Sequence, residues 1–252
     1  MNELIEAFNE YFEIVHVPAN ASELRAEMFR LRYEVLCEEL HLSGFEPNAD
    51  RQEKDEYDER SVHCLLWHRS TGTIAGTVRL VLCDPNDPNR PFPTEQYAAH
   101  IFEPKKVDPS QLPRQHTAEM SRFVLSKRFR SREGEDRYAF GAGKYDMAPH
   151  GSTGRDRRHF PHPLLGLMVG VVLMAAQQQV TYWYASMEPV LNRLLRRFAV
   201  DLTPVGPSIE FHGVRQPHVD AVMAVLERTY KRRRDVWELV TDRGRLWPRP
   251  KT

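Results

Sequence analysis

The chain has 252 residues, with 35 basic and 35 acidic side chains, a formal net charge of zero and 41% hydrophobic residues. A chain of this length can bury a sizeable core in one large domain or two small ones, and its composition does not indicate disorder. The zero net charge argues against a protein whose main task is to bind nucleic acid. The charges are nevertheless segregated, because residues 1–60 carry 16 acids against 6 bases and residues 105–160 carry 13 bases against 7 acids. Such segregation suits either a partner of one sign or two patches that attract each other within the fold.

The cysteine count and the hydropathy pattern indicate the compartment. The chain has three cysteines, Cys37, Cys64 and Cys83, which is an odd number and includes no CxxC pair. The sequence therefore predicts neither a disulfide framework nor a thiolate zinc site. We therefore expect a reducing, cytoplasmic environment. The acidic N-terminus lacks the pattern of a signal peptide, and the most hydrophobic segment, residues 164–176, is too short to span a bilayer. We expect no membrane span.

The first half of the chain predicts a strand, a helix and a hairpin, in that order. Residues 12–18 alternate as a short strand, and Ser22 begins a helix whose apolar side chains recur at three- and four-residue spacing. After the acidic stretch EKDEYDE (53–59), the β-rich runs SVHCLLWHR and TIAGTVRLVL predict a hairpin. The proline-rich residues 84–116 predict a long surface connection that leads into the strand TAEMSRFVLS.

The second half continues the alternation of helices and strands. Residues 131–161 are polar and contain several glycines, which predicts an insertion similar to a lid. An apolar helix over 164–179, the strand TYWYASM and a helix that starts at Glu188-Pro189 follow, and an amphipathic helix over 219–240 ends the pattern. This mixed order without an internal repeat predicts a layered α/β sandwich in a single domain, residues 1–252.

Several charged side chains stand beside or inside apolar strands. The stretch EKDEYDE holds five carboxylates in seven positions, and because such groups repel one another a solvated acidic turn is the simplest interpretation. Arg79 lies in the middle of the apolar run GTVRLVL, where an arginine is rarely buried without an acidic partner. It could pair with Asp55 or Asp58, or bind the carboxylate or phosphate of a substrate.

The stretch Glu119-Met120-Ser121-Arg122 lies within a predicted strand. Positions three apart on a regular strand face opposite sides, so Glu119 and Arg122 share a site only if the strand bulges between them. A bulge would free a backbone N–H beside a carboxylate, and acyl transfer requires both groups. The carboxylate can take a proton from an incoming amine, and the N–H can stabilise the oxyanion. A regular strand with one buried ion pair is the alternative.

Two basic runs and the histidines complete the set of candidates. Lys127, Arg128, Arg130 and Arg132 could cradle the phosphate of phosphopantetheine, meet an acidic carrier protein, or form a solvated edge. The run at 231–234 is better interpreted as the outer face of a helix. The 11 histidines show no metal-ligand spacing, and the sequence lacks a GxSxG or cysteine–histidine signature. We therefore expect no metal and no covalent nucleophile, which leaves direct transfer.

Taken together, the motifs resemble one family. The order FRLRYEVL (29–36), ExDxxD (53–58), GTVRL (76–80) and ExSRF (119–123) is similar to that of acyl-homoserine-lactone synthases of the LuxI type, which are GNAT-like acyltransferases. The resemblance continues to FHGVRQP (211–217) and covers roughly residues 12–220. The long connection, the insertion and the C-terminal extension (219–252) look more like bacterial N-acyl amino acid synthases and acyltransferases associated with exosortase/PEP-CTERM systems.

This resemblance implies a GNAT-type fold, a three-layer α/β/α sandwich around a mixed, mostly antiparallel and splayed sheet. It implies transfer of a fatty acyl group from acyl carrier protein or coenzyme A to the amine of an amino acid or similar small acceptor, with no permanently bound cofactor. A lactone-signal synthase that uses S-adenosylmethionine is the nearest alternative. A regulator that binds acyl groups or carrier protein without catalysis is an alternative from another class.

The resemblance also assigns roles to single residues. Glu119 matches the proposed general base, and Ser121 and Arg122 complete the catalytic set. Arg79 and Arg122 match arginines that brace acidic residues. Phe102, ahead of the catalytic strand, is a further substrate-binding candidate. An acyl tunnel would run between the splayed strands, and its candidate lining is Phe123, Met168, Val172, Trp183 and Met187. Core packing would bury the same apolar residues.

The acceptor side falls on the acidic stretch and on the preceding helix. The resemblance implies that Asp55 and Asp58 turn inward toward Arg79 and Arg122, and that Glu53 faces the entrance of the amine substrate. Arg32 matches an arginine at the amine pocket. The charge at the mouth of the core would then belong to an active site.

Overall fold

One seven-stranded sheet organises the protein, whose computed structural model describes residues 2–130 and 161–249. The strands are β1 (Phe12–Val17), β2 (Ser61–His68), β3 (Thr73–Leu82), β4 (Thr117–Leu125), β5 (Tyr182–Met187), β6 (Ile209–Glu210) and β7 (Val214–Ala221). Their order across the sheet is β1-β2-β3-β4-β5-β7-β6, and every described pair is antiparallel except β4 with β5. The predicted mixed, mostly antiparallel sheet is confirmed.

Helices cover both faces of this sheet. They are α1 (Glu3–Tyr11), α2 (Ser22–Tyr33), α3 (Pro93–Ala98), α4 (Lys127–Arg130), α5 (Pro163–Gln177), α6 (Pro189–Arg197), α7 (Val222–Arg232) and α8 (Arg234–Val240), with a π-helical segment, Glu34–Glu39, continuing α2. Because side chains alternate along a strand, neighbouring residues of β2 enter different layers. Cys64 and Leu66 pack in the main core with α5, whereas Leu65 packs with Met28 and Phe29 of α2. This is the predicted three-layer sandwich.

Helix α5 is apolar on all sides and therefore lies inside the protein. It begins at Pro163 after the N-cap His162, whose ring nitrogen Nδ1 accepts from the N–H of Leu164 at 3.1 Å. Gly166 lets the helix approach β2, since a Cβ there would lie 2.5 Å from a methyl carbon of Leu66. Among the described residues, no helix is both long and apolar enough to cross a membrane.

Strand β4 contains a bulge, so of the two alternatives that the sequence left open the regular strand is wrong. Thr77 of β3 pairs with Val124, but Arg79 pairs with Ser121, so β4 has one more residue than β3 over this stretch. Arg122 lies within the bulge and has a φ of +52°, in the left-handed region that non-glycine residues seldom adopt. A bulge of this kind leaves one residue without a partner in the ladder and re-aims the neighbouring side chains.

The predicted splay between β4 and β5 is also confirmed. The two strands pair from Thr117 with Tyr182 as far as Met120 with Ala185. Beyond this point both strands continue, but the described ladder between them ends. The gap opens at the level of the bulge, so that one place in the sheet has both an irregular strand and a passage beside it.

The structure corrects three expectations about secondary structure. The C-terminal helix predicted over 219–240 starts only at Val222, because β7 extends to Ala221, and it is broken at Arg233 into α7 and α8. Helix α1 precedes β1 where no helix was expected, and helix α3 interrupts the proline-rich connection. The predicted lid-like insertion lies, except for its last residue, outside the described residues, and so does Arg132.

The C-terminal helices α7 and α8 belong to the main core. Trp237 of α8 is 1% exposed, and it packs in the same cluster as α1 and α5. We therefore expect Trp237→Ala to lower the free energy of unfolding by about 3–5 kcal/mol, because it leaves a large cavity. Urea denaturation is the measurement. The matched control is Arg245→Ala, because the side chain of Arg245 is 74% exposed. If the Trp237→Ala protein were as stable as this control, α8 would not contribute to the core.

Candidate active site

Six charged side chains form a closed ring where helix α2, the acidic turn and strands β3 and β4 meet. Its members are Arg32, Glu53, Arg122, Asp55, Arg79 and Asp58, and each one contacts the next, with Asp58 returning to Arg32. Every arginine therefore touches two carboxylates and every carboxylate touches two arginines. The ring carries no net charge, so the acidic stretch and the three arginines neutralise each other inside the fold.

Arg32 supplies the most deeply buried part of this ring. Its Nε lies 2.5 Å from Oε2 of Glu53, and its two terminal nitrogens donate to both oxygens of Asp58 at 2.7 and 3.0 Å. The side chain is fully buried on the last turn of α2. This two-pronged contact with a carboxylate is the strong form of an arginine ion pair.

Arg79 and Arg122 close the ring on the side of the sheet. Arg79 Nη1 lies 2.5 Å from Asp55 and 3.0 Å from Asp58, and its Nε donates to the hydroxyl of Ser121 at 2.9 Å. Arg122 reaches Glu53 and Asp55, each at 2.8 Å. The bulge makes this possible, because it brings Arg122 to the same face as Ser121.

Local sequence turns the acidic stretch inward. Asp55 caps the 3₁₀ turn Glu56–Arg60: its side chain accepts from the N–H of Tyr57 at 2.9 Å, and Asp58 accepts from the N–H of Asp55 at 2.8 Å. A reciprocal capping box needs two hydrogen-bonding side chains three positions apart, and Asp55 and Asp58 of the ExDxxD motif supply them. Glu56 and Glu59 remain exposed on the outside of the turn.

The arginines keep the ring carboxylates ionised. Burial by itself would raise the pKa of Glu53, but the charges of Arg32 and Arg122 outweigh it and lower the pKa to about 2. Burial also opposes ionisation of Asp58, yet Arg32 and Arg79 hold its pKa far below the ordinary value. Because these charges are compensated, the ring provides a fixed framework and little free negative charge.

A cavity of about 170 Å³ lies above the ring, where β4 and β5 separate. Its walls combine charged groups with apolar side chains, the latter including Met120, Val124 and the α6 residues Leu191 and Leu195. Seven of the predicted site residues line it: Asp55, Arg79, Glu119, Ser121, Arg122, Phe123 and Met187. The cavity thus joins the bulge, the splay and the acidic turn.

Two carboxylates of this cavity lie outside the ring: Glu188, which pairs with Arg215, and Glu119, which has no ion pair among the described contacts. Glu119 is 3% exposed, and its Oε2 accepts from the backbone N–H of Thr94 at 2.7 Å. Burial, only partly offset by that hydrogen bond and by Arg79, raises the pKa of Glu119 to about 7. A carboxylate with such a pKa can bind and release a proton near neutral pH.

Other predicted site residues lie away from the cavity. Arg32 and Asp58 belong to the ring below it, and Glu53, 7% exposed, borders an adjoining cavity of about 520 Å³. Phe102 stacks on Tyr184 with 6.3 Å between ring centroids. Met168, Val172 and Trp183 are buried in the main core; Trp183 still pairs with Ala118, because the strands separate only two residues further on.

The predicted inward turn of the two aspartates is confirmed, with one difference in pairing. Asp55 contacts both Arg79 and Arg122, as expected. Asp58 contacts Arg79 and Arg32 instead of Arg122. The reason is the capping box, which places Asp58 one turn deeper than Asp55, against α2.

The basic run after β4 is divided by the structure. Lys127 and Arg128 are exposed on α4. Arg130 is buried, and its guanidinium pairs with Glu39 of the π-helical segment. Lys127 and Arg128 are therefore the members of the run, within the described chain, that a carrier protein or a phosphate could contact.

Sequence reasoning missed part of the cavity mouth. Tyr97 and Phe211 stack with 3.9 Å between ring centroids, and Phe45 lies 5.0 Å from the ring of His212. An ion pair of Glu188 with Arg215, at 3.1 Å, borders the same cavity. The motifs that contain residues 188 and 211–215 were recognised, but nothing in their spacing indicates which side chains face a cavity. Tyr97 carries no sequence signal at all.

Comparison with known proteins agrees with this geometry. Residues 31–139 match the model of the acetyltransferase (GNAT) domain. Over this segment the chain is similar to GNAT-type acyltransferases. The matched segment includes β2, β3, the acidic turn and the bulged strand with Glu119. No curated protein sequence is similar enough to count as a match.

Solved structures share the fold over most of the chain. TofI, in a ternary complex with an inhibitor and MTA, is 18% identical, with a TM-score of 0.59 over 91% of this chain and 97% of its own. BjaI, a CoA-dependent acyl-homoserine lactone synthase solved with SAM and isopentyl-CoA, is 18% identical, with a TM-score of 0.59 over 96% and 95%. The AHL synthase LasI is 17% identical, with a TM-score of 0.52 over 83% and 88%.

Breaking the ring should destabilise the protein strongly. Asp58→Asn removes one carboxylate and leaves Arg32 and Arg79 with uncompensated buried charge, which should lower the free energy of unfolding by about 3–5 kcal/mol. Urea denaturation at pH 7.5 measures the loss. Glu59→Gln, a change in the same acidic stretch at an exposed position, is the control and should alter stability by no more than about 0.5 kcal/mol. Equal stability of the two variants would contradict a ring that supports the fold.

The raised pKa of Glu119 predicts that replacing this carboxylate increases the free energy of unfolding, by an amount that depends on pH. Folded protein retains the proton up to about pH 7, whereas the unfolded chain releases it near 4.5, so stability falls as the pH rises between these values. Glu119→Gln, which keeps an oxygen for the Thr94 N–H, should therefore be more stable than the parent at pH 8.5 by roughly 2–3 kcal/mol. At pH 5 the two should be nearly equal. A pH-independent difference would contradict the shifted pKa.

Proposed function

We propose that this protein is an N-acyltransferase that moves a fatty acyl group from a thioester donor directly to the amine of a small acceptor. The observation that carries the proposal is Glu119, a buried carboxylate with a pKa of about 7 that faces the cavity beside the β4 bulge. The acceptor we propose is an amino acid or a similar small amine. Acyl carrier protein is the donor that we favour, with acyl-coenzyme A as the second choice.

The proposed reaction uses one protein group for the proton and one for the developing charge. Glu119, acting through a water molecule, takes a proton from the acceptor amine, whose nitrogen attacks the thioester carbonyl carbon. The new C–N bond forms, the C–S bond breaks, and the thiolate leaves with the carrier and is protonated by solvent. A backbone N–H left unpaired by the bulge would stabilise the oxyanion of the tetrahedral intermediate.

The shape of the cavity supports separate places for the two substrates. Its charged end, with Asp55, Arg79 and Arg122, adjoins the outer cavity that Glu53 borders, which suits a polar amine. In the arrangement we propose, the acyl chain takes the other end, beside the apolar side chains of Leu191 and Leu195, which also line the cavity. Exposed Lys127 and Arg128, just after β4, would meet an acidic carrier protein or a phosphate. In this scheme the carbonyl carbon lies at the bulge, between the two ends.

A lactone-signal synthase that uses S-adenosylmethionine is the second candidate. It is favoured by the shared fold of BjaI, whose structure contains SAM and isopentyl-CoA, over almost the whole chain. The two candidates share the acylation step and differ in the acceptor and in the cyclisation that would follow. Mass spectrometry separates them, because one yields an N-acyl amino acid and the other a lactone together with a thioether nucleoside.

The test is turnover of acyl-carrier-protein and acyl-coenzyme A thioesters against a panel of amino acids and S-adenosylmethionine. Thiol release and the product mass are measured together. The parent should release thiol only in the presence of an amine, and kcat/KM should rise as the pH increases through about 7, because Glu119 must be ionised to accept a proton.

Glu119→Gln should lower kcat by about 10²–10⁴-fold, which is the usual contribution of a general base. The control is Glu103→Gln, at an exposed position paired with Lys106 on the connection before β4, which should retain the parent rate. Since Glu119→Gln is expected to remain folded, its inactivity would report on the chemistry. Full activity of this variant would refute the proposed mechanism.

A further inference from the structure

The base Glu119 receives its hydrogen bond from a short helix that the connection between β3 and β4 carries. The donor is the backbone N–H of Thr94, on the first turn of α3. Thr94 is 2% exposed, so this contact is shielded from solvent. Movement of α3 by even an ångström would break the contact, and the position of α3 therefore decides what environment the base has.

A single carboxylate, Glu95, anchors α3 from three sides. Its Oε2 accepts from the backbone N–H of Phe92 at 2.9 Å, which caps the helix it belongs to. Its Oε1 accepts from the hydroxyl of Tyr184 on β5 at 2.9 Å and pairs with the guanidinium of Arg114. The side chain of Glu95 is 9% exposed. Its contacts therefore tie helix, sheet and the far end of the connection together.

The partners of Glu95 connect α3 to the strand beside Glu119 and to the rest of the connection. Tyr184 pairs directly with Glu119 in the β4–β5 ladder, so the strand that holds Glu95 is next to the strand that holds the base. Arg114 also donates to the carbonyl oxygens of Arg90 and Pro88, at 2.9 and 3.1 Å, and its guanidinium lies 4.7 Å from the ring centre of Phe92. The connection is thus closed onto itself around Glu95.

We propose that Glu95 is a positioning residue for the acyl transfer reaction, which holds α3 against β5 so that the Thr94 N–H remains directed at Glu119. This inference rests on the proposed function, in which Glu119 is the base. Glu95 does not itself meet the substrate, since the lining of the cavity includes Pro93 and Tyr97 of this connection but not Glu95. It acts through Thr94.

Two effects of Glu95 on the base oppose each other and can be separated. The groups that face Glu119 are Thr94 and Glu95 from α3, Arg79 from β3, Tyr57 from the 3₁₀ turn and Tyr184 from β5. The negative charge of Glu95 by itself raises the pKa of Glu119. The hydrogen bond that Glu95 maintains lowers it, because the bond favours the ionised carboxylate. Substitutions that remove charge only, or charge and geometry together, should therefore shift the pKa in opposite directions.

The experiment compares Glu95→Ala with Glu95→Gln. Gln keeps oxygen and nitrogen near Phe92 and Tyr184 but removes the charge, whereas Ala removes the anchor. The pKa of Glu119 is read by NMR of protein labelled with ¹³C at the glutamate carboxyl carbons, with the spectrum of Glu119→Gln identifying the signal. If Glu95 positions α3, the pKa should rise by about half to one unit in Glu95→Ala, through loss of the Thr94 hydrogen bond, and should fall or remain unchanged in Glu95→Gln.

Turnover provides the second readout. Glu95→Ala should lower kcat by about 10–100-fold with little change in the KM of either substrate, as a misplaced catalytic group does, and Glu95→Gln should restore most of the rate. Tyr184→Phe, which removes only the hydroxyl that Glu95 accepts from, should shift the pKa in the same direction as Glu95→Ala by a smaller amount. The Tyr184→Phe protein is expected to remain folded even if the Glu95→Ala protein does not.

The outcomes distinguish this inference from the proposed function. A pKa that falls equally in Glu95→Ala and Glu95→Gln, or does not move in Glu95→Ala and Tyr184→Phe, would overturn the positioning role, whatever the enzyme acylates. A parent protein that releases no thiol with any amine would refute the proposed function and with it the catalytic meaning of the position. In that case the NMR titration would still decide whether Glu95 controls the environment of Glu119.

Discussion

The closed ring of three arginines and three carboxylates is the interaction on which the rest of the structure depends. Burying six charged groups is unfavourable unless each is compensated, and here every member has two partners of opposite sign. The ring joins helix α2, the acidic turn, strand β3 and the bulge of β4 at one point. These four segments are distant in sequence, so the electrostatic requirement acts as a tertiary constraint and holds the floor of the cavity in one arrangement.

The same electrostatics separate framework from chemistry. The arginines hold the pKa of Glu53 at about 2 and that of Asp58 far below its ordinary value, so both carboxylates are too weak as bases to take a proton from an amine. Glu119 lies two residues before Ser121, whose hydroxyl accepts from the ring arginine Arg79, but Glu119 is buried with one backbone donor, and its pKa is about 7. The site thus contains two kinds of acidic residue, the ring members and Glu119, and their surroundings decide which of them can exchange protons.

Much of this was predictable from local sequence. The alternation of apolar residues indicates β2, β3 and β4. A bulge in β4 is the condition under which Glu119 and Arg122 can share a site, and the structure contains that bulge. The spacing of Asp55 and Asp58 is that of a capping box, which explains why both turn inward. The chain between β3 and β4 was harder, because prolines obscure the short helix α3. The presumed tunnel residue Trp183 was misplaced relative to the cavity, since hydrophobicity does not reveal where two strands separate.

The sequence by itself determined the strands β1 to β5, the apolar helix α5 and the set of charged residues that must find partners, since these follow from periodicity and from the cost of burying charge. Only the tertiary structure decided which charged side chains form ion pairs with each other. Asp58 faces Arg32 and Arg79 because of how α2 crosses the turn, and Arg130 turns inward to Glu39 instead of joining a surface run. The environment of Glu119 also came from the fold, because its only backbone donor among the described hydrogen bonds, Thr94, belongs to a separate segment of the chain. Contacts between segments far apart in sequence have no local signature, and the properties of the candidate base arise from them.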